Sequence, residues 1–142
     1  MKKLFILVAA TLLFLACSKD NHSYYNPYLP EVPVQLDINL DWPEYSELRP
    51  PGGVHLTHIQ GIRGVIIINT GSAYRAYEAA CPNHVLRDCS TLEVKKGAIF
   101  ANCVCPDDCA SFNLHLGTSL DSEYPLKSYR VSQSGTRVFI SN

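Results

Sequence analysis

The pattern that most limits the fold of this 142-residue chain is apolar–polar alternation without a lasting helical period. Between residues 32 and 40, every second residue is valine, leucine or isoleucine, which is the period of a half-buried strand. Residues 65–68 form a short β-branched run that suits a central strand. Nine prolines and eight glycines favour strands and turns over long helices. The sequence therefore predicts an all-β fold of short antiparallel strands.

Two hairpins stand out within this pattern. Residues 91–94 and 98–104 flank a Lys95-Lys96-Gly97 turn, and residues 129–131 and 136–140 flank Ser134-Gly135. Further strands are predicted at residues 54–59 and 73–79. Residues 41–53 contain three prolines and two glycines, which predicts a loop.

The charge balance excludes one class of partner. Twelve lysines and arginines face 13 aspartates and glutamates, for a net charge of −1. Nucleic-acid binding needs a basic excess to neutralise phosphates, so we expect no nucleic-acid partner. The apolar fraction of 46% is sufficient for one packed core.

The N-terminus has the features of an export signal. Lys2 and Lys3 precede an uncharged apolar run at residues 4–16, too short for the roughly 20 residues of a membrane-spanning helix. The sequence thus predicts a signal peptide at residues 1–16. Phe14-Leu15-Ala16-Cys17 resembles the lipobox of bacterial lipoproteins, and Ser18-Lys19-Asp20-Asn21 resembles the export tag of Bacteroidetes surface lipoproteins.

The lipobox resemblance implies cleavage before Cys17 and acylation of that residue, which would anchor the protein in a membrane. We then expect a lipidated, flexible tether at residues 17–33 and a β domain at residues 34–142. The expected location is the bacterial cell envelope, at the outer membrane, either periplasmic or surface-exposed. Disulfides are permitted there, and five cysteines remain once Cys17 is acylated.

Those five cysteines lie in two polar loops on either side of the first hairpin. The first loop has Cys81 and Cys89, and the second has Cys103, Cys105 and Cys109. Because a hairpin returns the chain beside its start, the two loops should meet at one tip of the domain. At least one cysteine from each loop should then lie within the ~4.4–6.8 Å Cα distance of a disulfide, or share a metal.

The order of these segments resembles the Rieske family. Residues 64–69 and 74–82 resemble the strand pair that leads into its first cluster loop. Cys105-Pro106, followed by Ser111-Phe112-Asn113 and Gly117, resembles its second loop, and residues 125–131 resemble the strand after it. The resemblance implies small stacked antiparallel sheets, or a partial barrel, with two cysteine-bearing loops at one tip.

Family members bind a [2Fe–2S] cluster with two cysteines and two histidines, in Cys-x-His and Cys-x-x-His loops. Cys81 and Cys105 fall on the cysteine positions, whereas Asn83 and Asp108 fall on the histidine positions. A one-residue shift in each loop gives an altered ligand set. If a cluster is bound, the implied ligands are Cys81, His84, Cys105 and Cys109.

Two other chemistries remain open for the loops. Disulfides such as Cys81–Cys105 or Cys89–Cys109 could link the two loops without a metal, although the sequence does not fix the pairing. Zinc is the third alternative, although the paired CxxC motifs of structural zinc sites are missing.

No acid pair, phosphate-binding loop or nucleophile–histidine pattern predicts catalysis, so we expect a non-enzyme. The leading interpretation is a membrane-anchored lipoprotein whose Rieske-like domain is a binding or structural module. The alternative is a [2Fe–2S] electron-transfer protein with altered ligands. The sequence does not identify a redox or protein partner.

Overall fold

A computed structural model of the protein describes residues 25–142. The predicted signal peptide at residues 1–16 and the predicted lipid attachment at Cys17 lie outside these residues, as does the first part of the predicted tether, residues 17–24. Within the described range, no helix has the length and apolar character needed to cross a membrane.

The described residues form two antiparallel sheets. The larger sheet has six strands in the order β1-β9-β8-β4-β3-β2, and the smaller has the order β5-β6-β7. The strands are β1 Gln35–Asn39, β2 Val54–Thr57, β3 Val65–Asn69, β4 Tyr74–Glu78, β5 Leu92–Val94, β6 Phe100–Cys103, β7 Ser111–Asn113, β8 Ser128–Ser134 and β9 Arg137–Ser141. The predicted all-β fold is confirmed.

Strand β3 contributes to both hydrophobic cores of the domain. All five of its residues are buried, as its β-branched run predicts for a strand covered on both faces. Ile66 and Ile68 pack into a core shared with the smaller sheet, and Val65 and Ile67 pack into a second core on the opposite face. The predicted burial of residues 65–68 is confirmed.

The two edges of the larger sheet meet through a side chain. Gln60, just beyond β2, accepts a hydrogen bond from the backbone N–H of Gln35 at 2.5 Å. Its amide also donates to the Gln35 carbonyl at 3.0 Å. These bonds occupy backbone groups at the start of edge strand β1 and connect the two edges of the curled, half-barrel sheet.

The smaller sheet positions the cysteine loops. The predicted hairpin is present as β5 and β6, with Gly97 in the turn at φ +77°. Strand β7, which the sequence analysis did not assign, pairs with β6 and buries Phe112 completely. The first cysteine loop enters this sheet from β4, and the second connects β6 to β7, so both lie at the same end.

Two segments are more ordered than the sequence analysis expected. The predicted loop at residues 41–53 contains a 3₁₀ helix, Pro43–Leu48, which begins at a proline and buries Leu48. In the predicted tether, Leu29 is buried and Asn26 donates a hydrogen bond to the Pro82 carbonyl at 2.9 Å. This part of the tether therefore packs against the first cysteine loop.

Candidate metal and disulfide site

Two disulfides join the cysteine loops at one tip of the domain. Cys81 pairs with Cys103, with a Cα separation of 5.8 Å, and Cys89 pairs with Cys105, at 5.0 Å. Both pairs link the first loop to the second. The prediction that the loops meet within disulfide range is confirmed.

The pairing differs from the two examples offered by the sequence analysis, Cys81–Cys105 and Cys89–Cys109. Burial distinguishes the cysteines of the second loop, because Cys103 and Cys105 are buried, with 9% and 3% exposure, whereas Cys109 is not. Cys103 ends β6 and takes the place beside Cys81. Cys109 is exposed and is the one unpaired cysteine in the described part of the chain.

His84 and Asp108 flank the Cys81–Cys103 disulfide. The His84 Nε2 atom lies 3.4 Å from Asp108 Oδ2 and 3.6 Å from Cys103 Sγ. One ligand atom from each of these four residues lies within 4.8 Å of the others. The structure therefore holds a cysteine, histidine and aspartate group of the kind that can bind a metal ion.

A backbone carbonyl orients the His84 ring. Its Nδ1 atom lies 3.0 Å from the Val85 carbonyl oxygen. A carbonyl only accepts, so Nδ1 is the donor in this contact, and Nε2 faces Cys103 and Asp108. Asp108 Oδ2 is buried without a hydrogen-bond partner among residues 25–142. An imidazole nitrogen and a carboxylate oxygen thus face one another at 3.4 Å.

The structure divides the predicted ligand set. Cys81 and His84 lie in the group, whereas Cys105 is in the other disulfide and Cys109 is at the surface. The set Cys81, His84, Cys105 and Cys109 stays a prediction. Cys103 takes part through the alternation of β6, a signal that the sequence contained but the analysis did not use.

An ion pair links the two cysteine loops in addition to the disulfides. The Arg87 guanidinium donates two hydrogen bonds to the Asp107 carboxylate, both at 2.9 Å. These bonds lower the pKa of Asp107 below its usual range. Arg63 donates to the Arg87 carbonyl at 2.6 Å, which connects the ion pair to the turn before β3.

A buried carboxylate anchors the start of the first loop. Glu78, the last residue of β4, is completely buried and accepts four hydrogen bonds. The donors are the backbone N–H groups of Ile62, Arg63 and Ala80 and the Tyr129 hydroxyl, at 2.7–3.0 Å. Burial, and then the Glu78 contact, raise the pKa of Tyr129.

The residues of the tip do not reproduce the ligands of a two-cysteine, two-histidine cluster. Asn83, at the first histidine position, accepts a hydrogen bond from the Ser122 hydroxyl at 2.5 Å. The sulfur atoms of Cys81 and Cys105 belong to separate disulfides. His84 is the one histidine in the metal-competent group, which also holds Cys81, Cys103 and Asp108.

Comparisons with known proteins identify the fold. No family model matches the chain, and no curated protein does. The apo form of a quaternary ammonium Rieske monooxygenase matches with a TM-score of 0.52 and 18% identity, covering 80% of this chain and 34% of that one. Its complex with gamma-butyrobetaine matches with a TM-score of 0.52 and 20% identity, covering 78% and 32%.

A ferredoxin of carbazole 1,9a-dioxygenase from Nocardioides aromaticivorans IC177 also matches, with a TM-score of 0.46 and 20% identity. That match covers 78% of this chain and 97% of the ferredoxin. The chain spans about a third of the length of the monooxygenase chains. The two monooxygenase matches, both with a TM-score of 0.52, show that the chain has a Rieske-like fold, as the sequence resemblance implies.

Proposed function

We propose that this chain is a lipid-anchored protein of the bacterial cell envelope whose Rieske-like domain is a non-enzymatic binding or structural module. The observation that carries the proposal is the pairing of all four inner cysteines across the two loops. With Cys81 and Cys105 both bonded to other cysteines, the family's cluster positions offer no thiolate. The loops are then held by covalent bonds rather than by iron.

The disulfides agree with the predicted compartment. Structural disulfides persist outside the cytoplasm and are rare inside it. The leader at residues 1–16 and the lipobox cysteine predict the same side of the membrane. The non-enzymatic role rests on the sequence, which has no nucleophile–base pattern or acid pair.

The anchor is tested by Cys17→Ala. We expect the variant to lose acyl labelling and to leave the membrane fraction or to remain unprocessed, whereas Cys109→Ser keeps both properties. Unchanged acyl labelling of the Cys17 variant would remove the lipoprotein proposal. The fold is unaffected in either case, because residue 17 precedes the described domain.

A second candidate is an electron-transfer domain with an altered iron–sulfur centre. The metal-competent group of Cys81, His84, Cys103 and Asp108 favours it. Absorption spectroscopy and thiol counting on anaerobically purified protein separate the two candidates. A cluster gives visible charge-transfer bands, and its cysteines become titratable in denaturant without a reductant.

The disulfide-held module predicts no visible bands and, with Cys17 acylated, a single titratable thiol within residues 25–142, that of Cys109. Cys109→Ser is the matched variant and should reduce the thiol count to zero. Visible bands with three or more thiols would replace the first candidate by the second.

A further inference from the structure

The four ligand atoms of the tip group have the spacing of a tetrahedral metal site. Zinc–sulfur bonds of ~2.3 Å and zinc–nitrogen or zinc–oxygen bonds of ~2.0–2.2 Å, at tetrahedral angles, separate sulfur from nitrogen by ~3.6 Å and nitrogen from oxygen by ~3.4 Å. The observed distances are 3.6 Å from Cys103 Sγ to His84 Nε2 and 3.4 Å from that Nε2 to Asp108 Oδ2. Two edges of the tetrahedron are therefore already in place.

The surrounding contacts orient the ligands as they are oriented in metal sites. His84 donates Nδ1–H to a backbone carbonyl, which leaves Nε2 as the ligand atom. The Asp108 Oδ1 atom accepts the Ala110 N–H at 3.0 Å, which leaves Oδ2 buried and without a hydrogen-bond partner in the described chain. A cation between Nε2 and Oδ2 would satisfy both lone pairs.

The remaining two ligands are blocked by a covalent bond. Cys81 Sγ and Cys103 Sγ are joined to one another and carry no thiolate. We propose that Cys81, His84, Cys103 and Asp108 form a redox-gated zinc site, closed while the disulfide is intact and opened when a dithiol reduces it. This inference goes beyond the proposed function, although it uses the same disulfide.

The step balances as thiol–disulfide exchange followed by metal binding. A dithiol reductant transfers two electrons and two protons to the bridge and becomes a cyclic disulfide, which leaves two cysteine thiols. One Zn²⁺ then displaces the two thiol protons and takes two thiolates, the imidazole and the carboxylate. The compact group suits one ion, since all four ligand atoms lie within 4.8 Å of one another.

The test uses Co²⁺ as a spectroscopic probe for the zinc site in the mature chain. After dithiol reduction, we expect a single Co²⁺ to bind with tetrahedral d–d bands and thiolate charge-transfer bands, and Zn²⁺ to displace it. The oxidised protein should show neither band. Equal Co²⁺ binding by the oxidised protein, or none by the reduced protein, would overturn the proposal.

Variants then identify the ligands. His84→Ala and Asp108→Asn should each weaken Co²⁺ binding more than about tenfold, since even outer-shell changes cost 10–100-fold in metal sites. His115→Ala and Asp121→Asn are the matched controls and should leave binding unchanged. If the control variants bound Co²⁺ more weakly and the His84 and Asp108 variants did not, the assignment would also be overturned.

The three other cysteines are tested in the same way, because reduction also opens the second disulfide. Cys81→Ser and Cys103→Ser should each remove one of the two thiolates and lower the intensity of the charge-transfer bands by about half or more, while Cys109→Ser and the double variant Cys89→Ser/Cys105→Ser should retain the full intensity. Far-UV circular dichroism monitors folding. If the reduced chain unfolds and neither Co²⁺ nor Zn²⁺ restores its spectrum, the proposal fails.

The same data keep this inference separate from the proposed function. Visible iron–sulfur bands before reduction would refute the disulfide-held module. A single titratable thiol before reduction, with no Co²⁺ binding after it, would refute the zinc site and leave the module standing.

Discussion

Replacing Glu78 by glutamine tests whether a buried, ionised carboxylate holds the base of the first cysteine loop. The Glu78 side chain is completely buried and receives four hydrogen bonds. Three come from fixed backbone N–H groups and one from the rotatable Tyr129 hydroxyl. Every partner is a donor, which an ionised carboxylate satisfies and an amide cannot.

The cost follows from where the glutamine NH₂ group is placed. Its carbonyl can take the Oε1 position and accept from Arg63 and Ala80. The NH₂ then takes the Oε2 position, where the Tyr129 hydroxyl can rotate to accept but the Ile62 N–H cannot. One buried N–H without an acceptor costs about 1–3 kcal/mol, and the other bonds lose their charge assistance.

Removing a buried charge offsets part of this loss, because its desolvation no longer has to be compensated. We expect the free energy of unfolding to fall by about 2–3 kcal/mol. At roughly 4 °C per kcal/mol for a domain of this size, the melting temperature should drop by about 8–12 °C. Glu78→Ala should cost more, since it leaves three backbone N–H groups without their acceptor, of which that of Ala80 is buried and those of Ile62 and Arg63 are part-buried.

Denaturant unfolding of the oxidised protein, followed by circular dichroism, measures the change as a shift in midpoint at constant slope. Glu123→Gln is the matched control, because Glu123 is exposed and should give no shift. If Glu78→Gln is as stable as the unmodified protein, the carboxylate is not ionised in the fold and the argument is wrong.

Three further changes test the core, the ion pair and the bridges. Ile67→Asp places an unpaired charge in a fully buried strand and should lower the free energy of unfolding by several kcal/mol. We expect its circular dichroism spectrum to be that of an unfolded chain. The control Ile59→Asp, at a 72% exposed position, should fold. Arg87→Gln should raise the pKa of Asp107 towards its usual value in an NMR titration, because the guanidinium lowers it. The stabilisation from the Arg87–Asp107 pair is present above the usual carboxyl pKa and is lost as the pH falls through the lowered pKa of Asp107. The Arg87→Gln variant should therefore lack this loss of stability in acid. Reducing both disulfides, which close loops of 22 and 16 residues, should cost up to about 3 kcal/mol per bridge in denaturant unfolding, and no change would show that the bridges are absent in solution.

The strand pattern was predictable because burial follows the local period. The alternation at residues 32–40 and the β-branched run at residues 65–68 both predict the side that faces the core. Strand β7 was missed because three residues are too few to show a period, and its one buried side chain is Phe112. The 3₁₀ helix was missed because a proline-rich segment predicts a loop and a short helix equally well.

The sequence predicted that the two cysteine loops meet at one tip, but not which cysteines pair there. The β5–β6 hairpin requires the two loops to be neighbours, whichever cysteines pair. The choice of partner depends on side-chain direction at the end of β6, where inward-facing Cys103 lies nearest Cys81. Glu78 was missed as well, since a glutamate at the end of a strand looks like any solvated residue until its four donors are placed around it.

The two positions where the Rieske resemblance expects histidine now give different expectations. Asp108 faces His84 in the metal-competent group, whereas the Asn83 side chain is held by the Ser122 hydroxyl on another segment. Asp108→His would put a second imidazole beside Cys103, and imidazole is a better ligand for iron than a carboxylate. Asn83→His would lose its hydrogen bond without reaching the group.

We therefore expect Asp108→His to raise the iron content of protein reconstituted under reducing, anaerobic conditions, measured as the iron-to-protein ratio. Asn83→His should stay at the level of Asn102→His, a control that adds a histidine at an exposed position beside Cys103. If Asn83→His raised the iron content as much as Asp108→His, the first loop would have to release Ser122 and turn its side chain inwards. The tip would then be a relaxed cluster site rather than one fixed by its hydrogen bonds and disulfides.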